Sequence, residues 1–152
     1  MKPALPDLRC DPRALRVVKR PIPVEVEFTE TEGICDTLEG PVRYAQGDPI
    51  LTGPLGESWP VRRDRFEASY EPVSPTKAGC NGFYRKMPSL TYALRLDGTV
   101  DVPVGWQADP LHGRPGDWLL LYEDGAYGVI REDVFRATYQ PAEGETRWPR
   151  PP

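Results

Sequence analysis

The sequence predicts a mainly β fold (β-rich α+β): two similar small β-units packed as one pseudo-twofold body, with few short helices. Three observations support this. Nineteen prolines and fourteen glycines in 152 residues disfavour long helices and favour short strands joined by turns. Apolar residues alternate with polar ones over short runs such as Val24, Val26 and Phe28. Finally, "GDPILTGPLGESWPVRRDRFEASYEP" (47–72) aligns without a gap on "GDWLLLYEDGAYGVIREDVFRATYQP" (116–141) at an offset of 69. Ten of its 26 positions are identical, where unrelated sequences would share on the order of one or two. Such self-similarity marks a repeated structural unit.

The elements of the shared segment follow in order. Asp117 to Tyr122 is apolar and strand-like, Glu123-Asp124-Gly125 supplies a tight hairpin, and Ala126 to Ile130 returns as the second strand. The first copy turns at the same place through Gly53-Pro54-Leu55-Gly56, with proline where a type I turn favours it. A polar helical turn is predicted at Arg62–Arg65 and Arg131–Val134. The trios Phe66, Ala68, Tyr70 and Phe135, Ala137, Tyr139 then predict one face of a closing strand. Upstream, Lys19-x-Pro21 matches Lys86-x-Pro88 at an offset of 67. There the apolar phase changes, because Leu90, Tyr92, Leu94 and Leu96 fall on the other parity from Val24, Val26 and Phe28.

The predicted organisation is an N-terminal extension (1–16), a first unit (17–73), a linker (74–82), a second unit (83–141) and a Pro-rich tail (142–152). Units this small are marginal alone, so they are expected to pack together as a monomer with pseudo-dimeric repeats or as a weak homodimer. Asp11-Pro12 predicts the start of a short helix in the extension. The tail is predicted to be extended or disordered, with Trp148 its one docking group.

The pattern Lys-x-Pro, Gly-Asp-Trp, Gly, Phe-x-x-Thr-Tyr resembles short phage and bacterial proteins of the form RKxP…GDW…GE(W/Y)P…FxxTY. "RPGDWLLLYEDGAYGVI" is similar to the family named for its PGDYG motif. In the first copy Gly56-Glu57-Ser58-Trp59-Pro60 resembles the phage-type version, and in the second Tyr127-Gly128-Val129 resembles the other. The resemblance implies a duplicated domain and a phage or mobile-element context, and transfers no catalytic residue.

A net charge of −4 gives no general attraction to nucleic acid or anionic lipid. Cys10, Cys35 and Cys80 form no Cys-x-x-Cys, and neither a signal peptide nor a membrane span is readable, so a cytoplasmic location is expected. No phosphate loop, HExxH or acidic metal motif is present, and the single histidine, His112, lacks a local nucleophile; no metal, cofactor or catalytic residue is assigned. Candidate ligand- or partner-binding residues are Trp59, Trp118, Tyr122 and Tyr127, with core filling as the competing reading. Arg62 and Arg131 are candidates for clamping an anion, against local charge pairing. Asp48 and Asp117 follow a glycine in both copies, and capping of backbone N–H groups competes with a ligand role. The expected function is a non-catalytic binding or inhibitor module acting on a bacterial protein or sequestering a small ligand. The alternatives are a small enzyme whose Asp48/Asp117 and Arg62/Arg131 converge at the seam between the repeats, and a small RNA-binding barrel. The seam and its hairpin faces are the expected functional surface.

Overall fold

A computed structural model describes residues 5–105 and 107–149. It is mainly β and antiparallel. The first half runs β1 (Leu15–Lys19), β2 (Val24–Phe28), β3 (Gly33–Thr37), β4 (Gly40–Tyr44), β5 (Pro49–Thr52), β6 (Ser58–Pro60), α1 (Arg63–Ser69) and β7 (Tyr70–Pro72). The second runs β8 (Gly82–Lys86), β9 (Leu90–Arg95), β10 (Val100–Val102), β11 (Leu111–Gly113), β12 (Trp118–Leu121), β13 (Tyr127–Ile130), α2 (Glu132–Thr138) and β14 (Tyr139–Pro141).

Two five-stranded sheets result, in the orders β6-β5-β2-β8-β7 and β13-β12-β9-β1-β14, with β3-β4 and β10-β11 as separate hairpins. Each large sheet takes one interior strand from the other half of the chain. β1 lies between β9 and β14, and β8 lies between β2 and β7. The registers correspond residue for residue: Lys19 pairs with Tyr139 and Val17 with Thr91, while Lys86 pairs with Tyr70 and Tyr84 with Val24. The Lys-x-Pro motif sits at the exchange. Each lysine is the last residue of its strand, and the proline lies in the segment that leads into the other sheet. The intervening residue is anchored alike in both places: Arg20 N–H donates to the Thr138 carbonyl at 2.7 Å, and Met87 N–H to the Ser69 carbonyl at 2.9 Å.

One face of each sheet packs under its helix. Val24, Val26, Leu51, Phe66, Tyr70 and Tyr84 form one core; Leu15, Val17, Ala93, Trp118, Leu120, Phe135 and Tyr139 form the other. A third core has no equivalent in the first half. Leu8 and Ala14 of the N-terminal extension, with Val102, cover Leu119, Leu121 and Val129 on the opposite face of the second sheet. That cover explains the changed apolar phase. Leu90 and Leu94 face away from α2, and the positions matching Val24 and Val26 are filled by the buried Thr91 and Ala93. It also explains why all four residues of β12 are buried while Glu25 and Glu27 of β2 are exposed.

The closing-strand reading of Phe66, Ala68 and Tyr70 needs correction. The helices extend through Ser69 and Thr138, so Phe66 and Tyr70, like Phe135 and Tyr139, are related at i, i+4 at a helix end, and Ala68 is exposed. Phe66 stacks on Tyr70 with centroids 5.0 Å apart, and Phe135 on Tyr139 at 5.6 Å. The hairpin turns are alike despite different sequences. Gly56 and Gly125 adopt φ of 80° and 88° and donate to the carbonyls of Gly53 and Tyr122. No helix starts at Asp11; its carboxylate accepts the Arg13 N–H at 2.9 Å and closes a turn instead.

The tail, as far as Pro149, is coil rather than strand, and it is anchored. Trp148 stacks on Phe135 at 5.4 Å, the Arg147 guanidinium donates to the Pro12 and Ala14 carbonyls, and Glu145 accepts the Arg16 N–H. Residues 1–4 of the extension and 150–152 of the tail lie outside the described residues.

Phe135 is fully buried between Trp118, at 4.0 Å, and Trp148. Phe135→Ala should therefore destabilise the fold by about 3–5 kcal/mol through lost burial and a residual cavity. Denaturant unfolding is the check, and a loss under about 1 kcal/mol would mean the stack contributes little.

Candidate functional site

A cleft of about 460 Å³ opens between the two large sheets, within the size range of small-molecule sites. Its walls come from both halves: β6 with the turn before it, α1 and the ends of β7 and β8 on one side; the end of β1, β13, α2 and β14 on the other. The β3-β4 hairpin adds Leu38, Glu39 and Val42.

The strand exchange sets what lines it. Lys19 shares the parity of the buried Leu15 and Val17, so its side chain leaves β1 on the face toward α2 and enters the cleft. Lys86 does the same after Tyr84. Their ammonium groups lie against rings. Lys19 is 4.8 Å from the Trp59 centroid and 6.0 Å from Tyr139; Lys86 is 5.3 Å from Tyr122 and 5.7 Å from Tyr70. Such contacts favour the cation while the loss of water disfavours it. Desolvation wins: burial pulls the Lys19 amine down to about 8 against the opposing Glu57 carboxylate, and it lowers Lys86 too. Burial also pushes the Tyr122 hydroxyl up to about 12 and raises Tyr70 and Tyr139.

Trp59 and Tyr122 reach the cleft from opposite strands of their hairpins, and glycine makes this possible. Trp59 of β6 packs over Gly53, while Tyr122, which corresponds to Gly53, packs over Gly128, which corresponds to Trp59. A Cβ at Gly128 would fall on the Tyr122 hydroxyl, and one at Gly53 on the Glu57 carboxylate beside Trp59. In the two aligned hairpins the aromatic and the glycine thus stand on opposite sides. Arg65 of α1 lies 4.7 Å from the Tyr122 centroid and forms an ion pair with Asp124 at 3.1 Å, tying the first helix to the second hairpin.

The other candidates divide. Tyr127 lines the cleft edge, and its hydroxyl donates to the Pro6 carbonyl. Arg62 also lines it, 3.9 Å from Asp48. Trp118 does not; it is buried under α2, and its indole N–H donates to Glu132 at 2.6 Å. Arg131 pairs with Asp133 at 2.8 Å on an exposed surface. Asp48 and Asp117 lock their own turns, accepting the N–H of Ala45 and Arg114, and Asp48 further accepts the Arg63 N–H at the start of α1. The two aspartates and Arg131 stay off the cleft wall, so the acid/base set expected to converge at the seam does not assemble there. Sequence reasoning missed Lys19, Lys86, Glu39 and Glu57. Both lysines stood in the repeated Lys-x-Pro, and Lys19 continues the parity of Leu15 and Val17.

Glu39 and Glu57 each present a buried carboxylate oxygen without a hydrogen-bond partner. The other oxygen of Glu57 accepts the Leu55 N–H at 3.0 Å. Burial, reinforced by the Asp117 charge, pushes the Glu39 carboxyl up to about 7. Among the described residues no cluster of three metal-ligating side chains occurs, and no helix is long and apolar enough to cross a membrane.

The PGDYG protein family model matches residues 40–140, about two thirds of the chain. The chain belongs to the PGDYG family. The matched region contains Trp59, Lys86, Tyr122 and both helices, while β1 with Lys19, and Glu39, precede it. No curated protein and no solved structure matches the chain.

The raised Glu39 carboxyl makes stability depend on pH. Its folded value, about 7, lies above the ordinary 4.5, so the folded chain binds this proton more tightly than the unfolded chain. Glu39 therefore lowers stability progressively as pH rises from about 4.5 to 7 and fully above that. Glu39→Gln should melt at a higher temperature than wild type at pH 8 and at the same temperature at pH 4. Equal melting temperatures at pH 8 would show that the carboxylate is not penalised by burial.

Proposed function

We propose that the protein is a non-catalytic module that sequesters a small ligand in the cleft between its sheets. The observation that supports this reading is the lining. Aromatic rings and apolar side chains surround a few charged groups, among them two carboxylates that each keep a buried oxygen without a donor, which is the composition of a small-molecule site rather than of a flat protein-binding face. Trp59 and Tyr122 form opposing walls, so truncating either removes contact area on one side of any occupant.

Purified protein screened against a metabolite panel by thermal shift should yield a stabilising compound. Trp59→Ala and Tyr122→Ala should each weaken that compound by about tenfold or more while the fold is kept. Unchanged binding in both variants would contradict the reading. A partner captured through another surface would favour the inhibitor reading instead.

A second reading has one specific observation in its favour. An amine held down to about 8 is a better nucleophile at neutral pH than an ordinary lysine, so Lys19 could condense with a carbonyl compound to an imine and water. Trapping of a carbonyl ligand on Lys19 by cyanoborohydride, found by peptide mass mapping, would move the protein from module to enzyme.

A further inference from the structure

Four charged groups line the cleft, Glu57 buried and Lys19, Lys86 and Glu39 half-buried, and among the described residues their hydrogen-bonding capacity is incompletely used. Among the described residues the ammonium groups of Lys19 and Lys86 donate no hydrogen bond; they lie against ring faces, with the Glu57 carboxylate acting on Lys19 and the Asp124 carboxylate on Lys86 only through space. Glu57, only 8% exposed, and Glu39 each keep one buried oxygen with no donor. Buried charges are normally paired or hydrogen-bonded, and unsatisfied ones are concentrated where a ligand completes them. The guanidinium groups nearby are already engaged, Arg65 by Asp124 and Arg62 by Asp48.

The two signs are arranged differently. Lys19 and Lys86 stand at corresponding positions, one from each sheet, whereas Glu39 and Glu57 both belong to the first half of the chain. The cleft thus offers cations from both walls and acceptors from one, which would orient an asymmetric occupant. A simple anion leaves the carboxylate oxygens unsatisfied, and a simple cation meets two ammonium groups. A neutral hydrocarbon satisfies none of the four.

We propose that the ligand is a small zwitterion with an apolar body, of the amino-acid type. Its anionic group lies between Lys19 and Lys86, its ammonium group faces Glu39 and Glu57, and its hydrocarbon or ring lies against Trp59 and Tyr122. This assignment rests on the cleft being a ligand site. Burial has moved Lys19 and Glu39 toward neutrality, which is the response of a charge whose counter-group is missing.

The test is calorimetric titration of the full chain with two matched sets of probes: phenylalanine, 3-phenylpropionate and 2-phenylethylamine, and leucine, 4-methylpentanoate and 3-methylbutylamine. In at least one set the amino acid should bind about tenfold or more tighter than both fragments. Lys19→Met should weaken the amino acid and the acid. Glu57→Gln should weaken the amino acid and the amine without weakening the acid. If the acid binds as tightly as the amino acid, the zwitterion assignment is overturned while the cleft stands as a ligand site. If no probe binds, the assignment is likewise overturned. A compound from the metabolite panel that loses affinity in Trp59→Ala would then show that the site itself survives.

Discussion

The structure depends on one exchange: β1 hydrogen-bonds inside the sheet of the second half, and β8 inside the sheet of the first. An interior strand satisfies backbone groups on both of its edges. Removing it would leave β9 and β14, or β2 and β7, facing an empty slot with unpaired N–H and C=O groups. Each helix-covered core also draws on the exchanged strand, with Tyr84 packing beside Phe66, and Leu15 and Val17 in the core of Phe135. Hydrogen bonding and burial therefore both join the halves.

The cleft is a consequence of that exchange. The chain has to leave each exchanged strand and enter the other sheet, and the residue at which it leaves is a lysine on the core-facing parity. Proline two residues later needs no N–H partner in the connecting segment, and the residue between is held by the end of the neighbouring helix. The two lysines are thereby brought from distant parts of the sequence to one cavity. Around them the two halves differ: Glu57 faces Ala126 in the alignment, and Trp59 faces Gly128. The framework is shared and the chemistry is one-sided.

Much of this was legible in the residues. The ungapped match located both hairpins, both turn glycines and the segment holding each helix, because those features are local. Residues at the offset of 67 upstream hold matching registers in the two sheets, although the apolar phase differs. Thr91 and Ala93 occupy core positions that a reading by hydrophobicity passes over, since Tyr92 and Leu94 pack on the other side of a sheet that is covered on both faces. The helices were read too short because Phe66 and Tyr70 satisfy a period of two as well as a spacing of four. The exchange itself was not legible. Repeat similarity says which segments are alike and is silent on which copy a strand pairs with, and the lysines became site residues only through that pairing.

Strand exchange as the joining constraint is tested most directly by dividing the chain in its linker. Residues 1–73 and 74–152 would be prepared separately and mixed, with amide NMR spectra and thermal melts recorded for each half and for the mixture. Neither half should fold cooperatively as a monomer, and a one-to-one mixture should recover the spectrum of the intact chain. A half that melts cooperatively as a monomer, with its amide signals where they stand in the intact protein, would contradict that constraint.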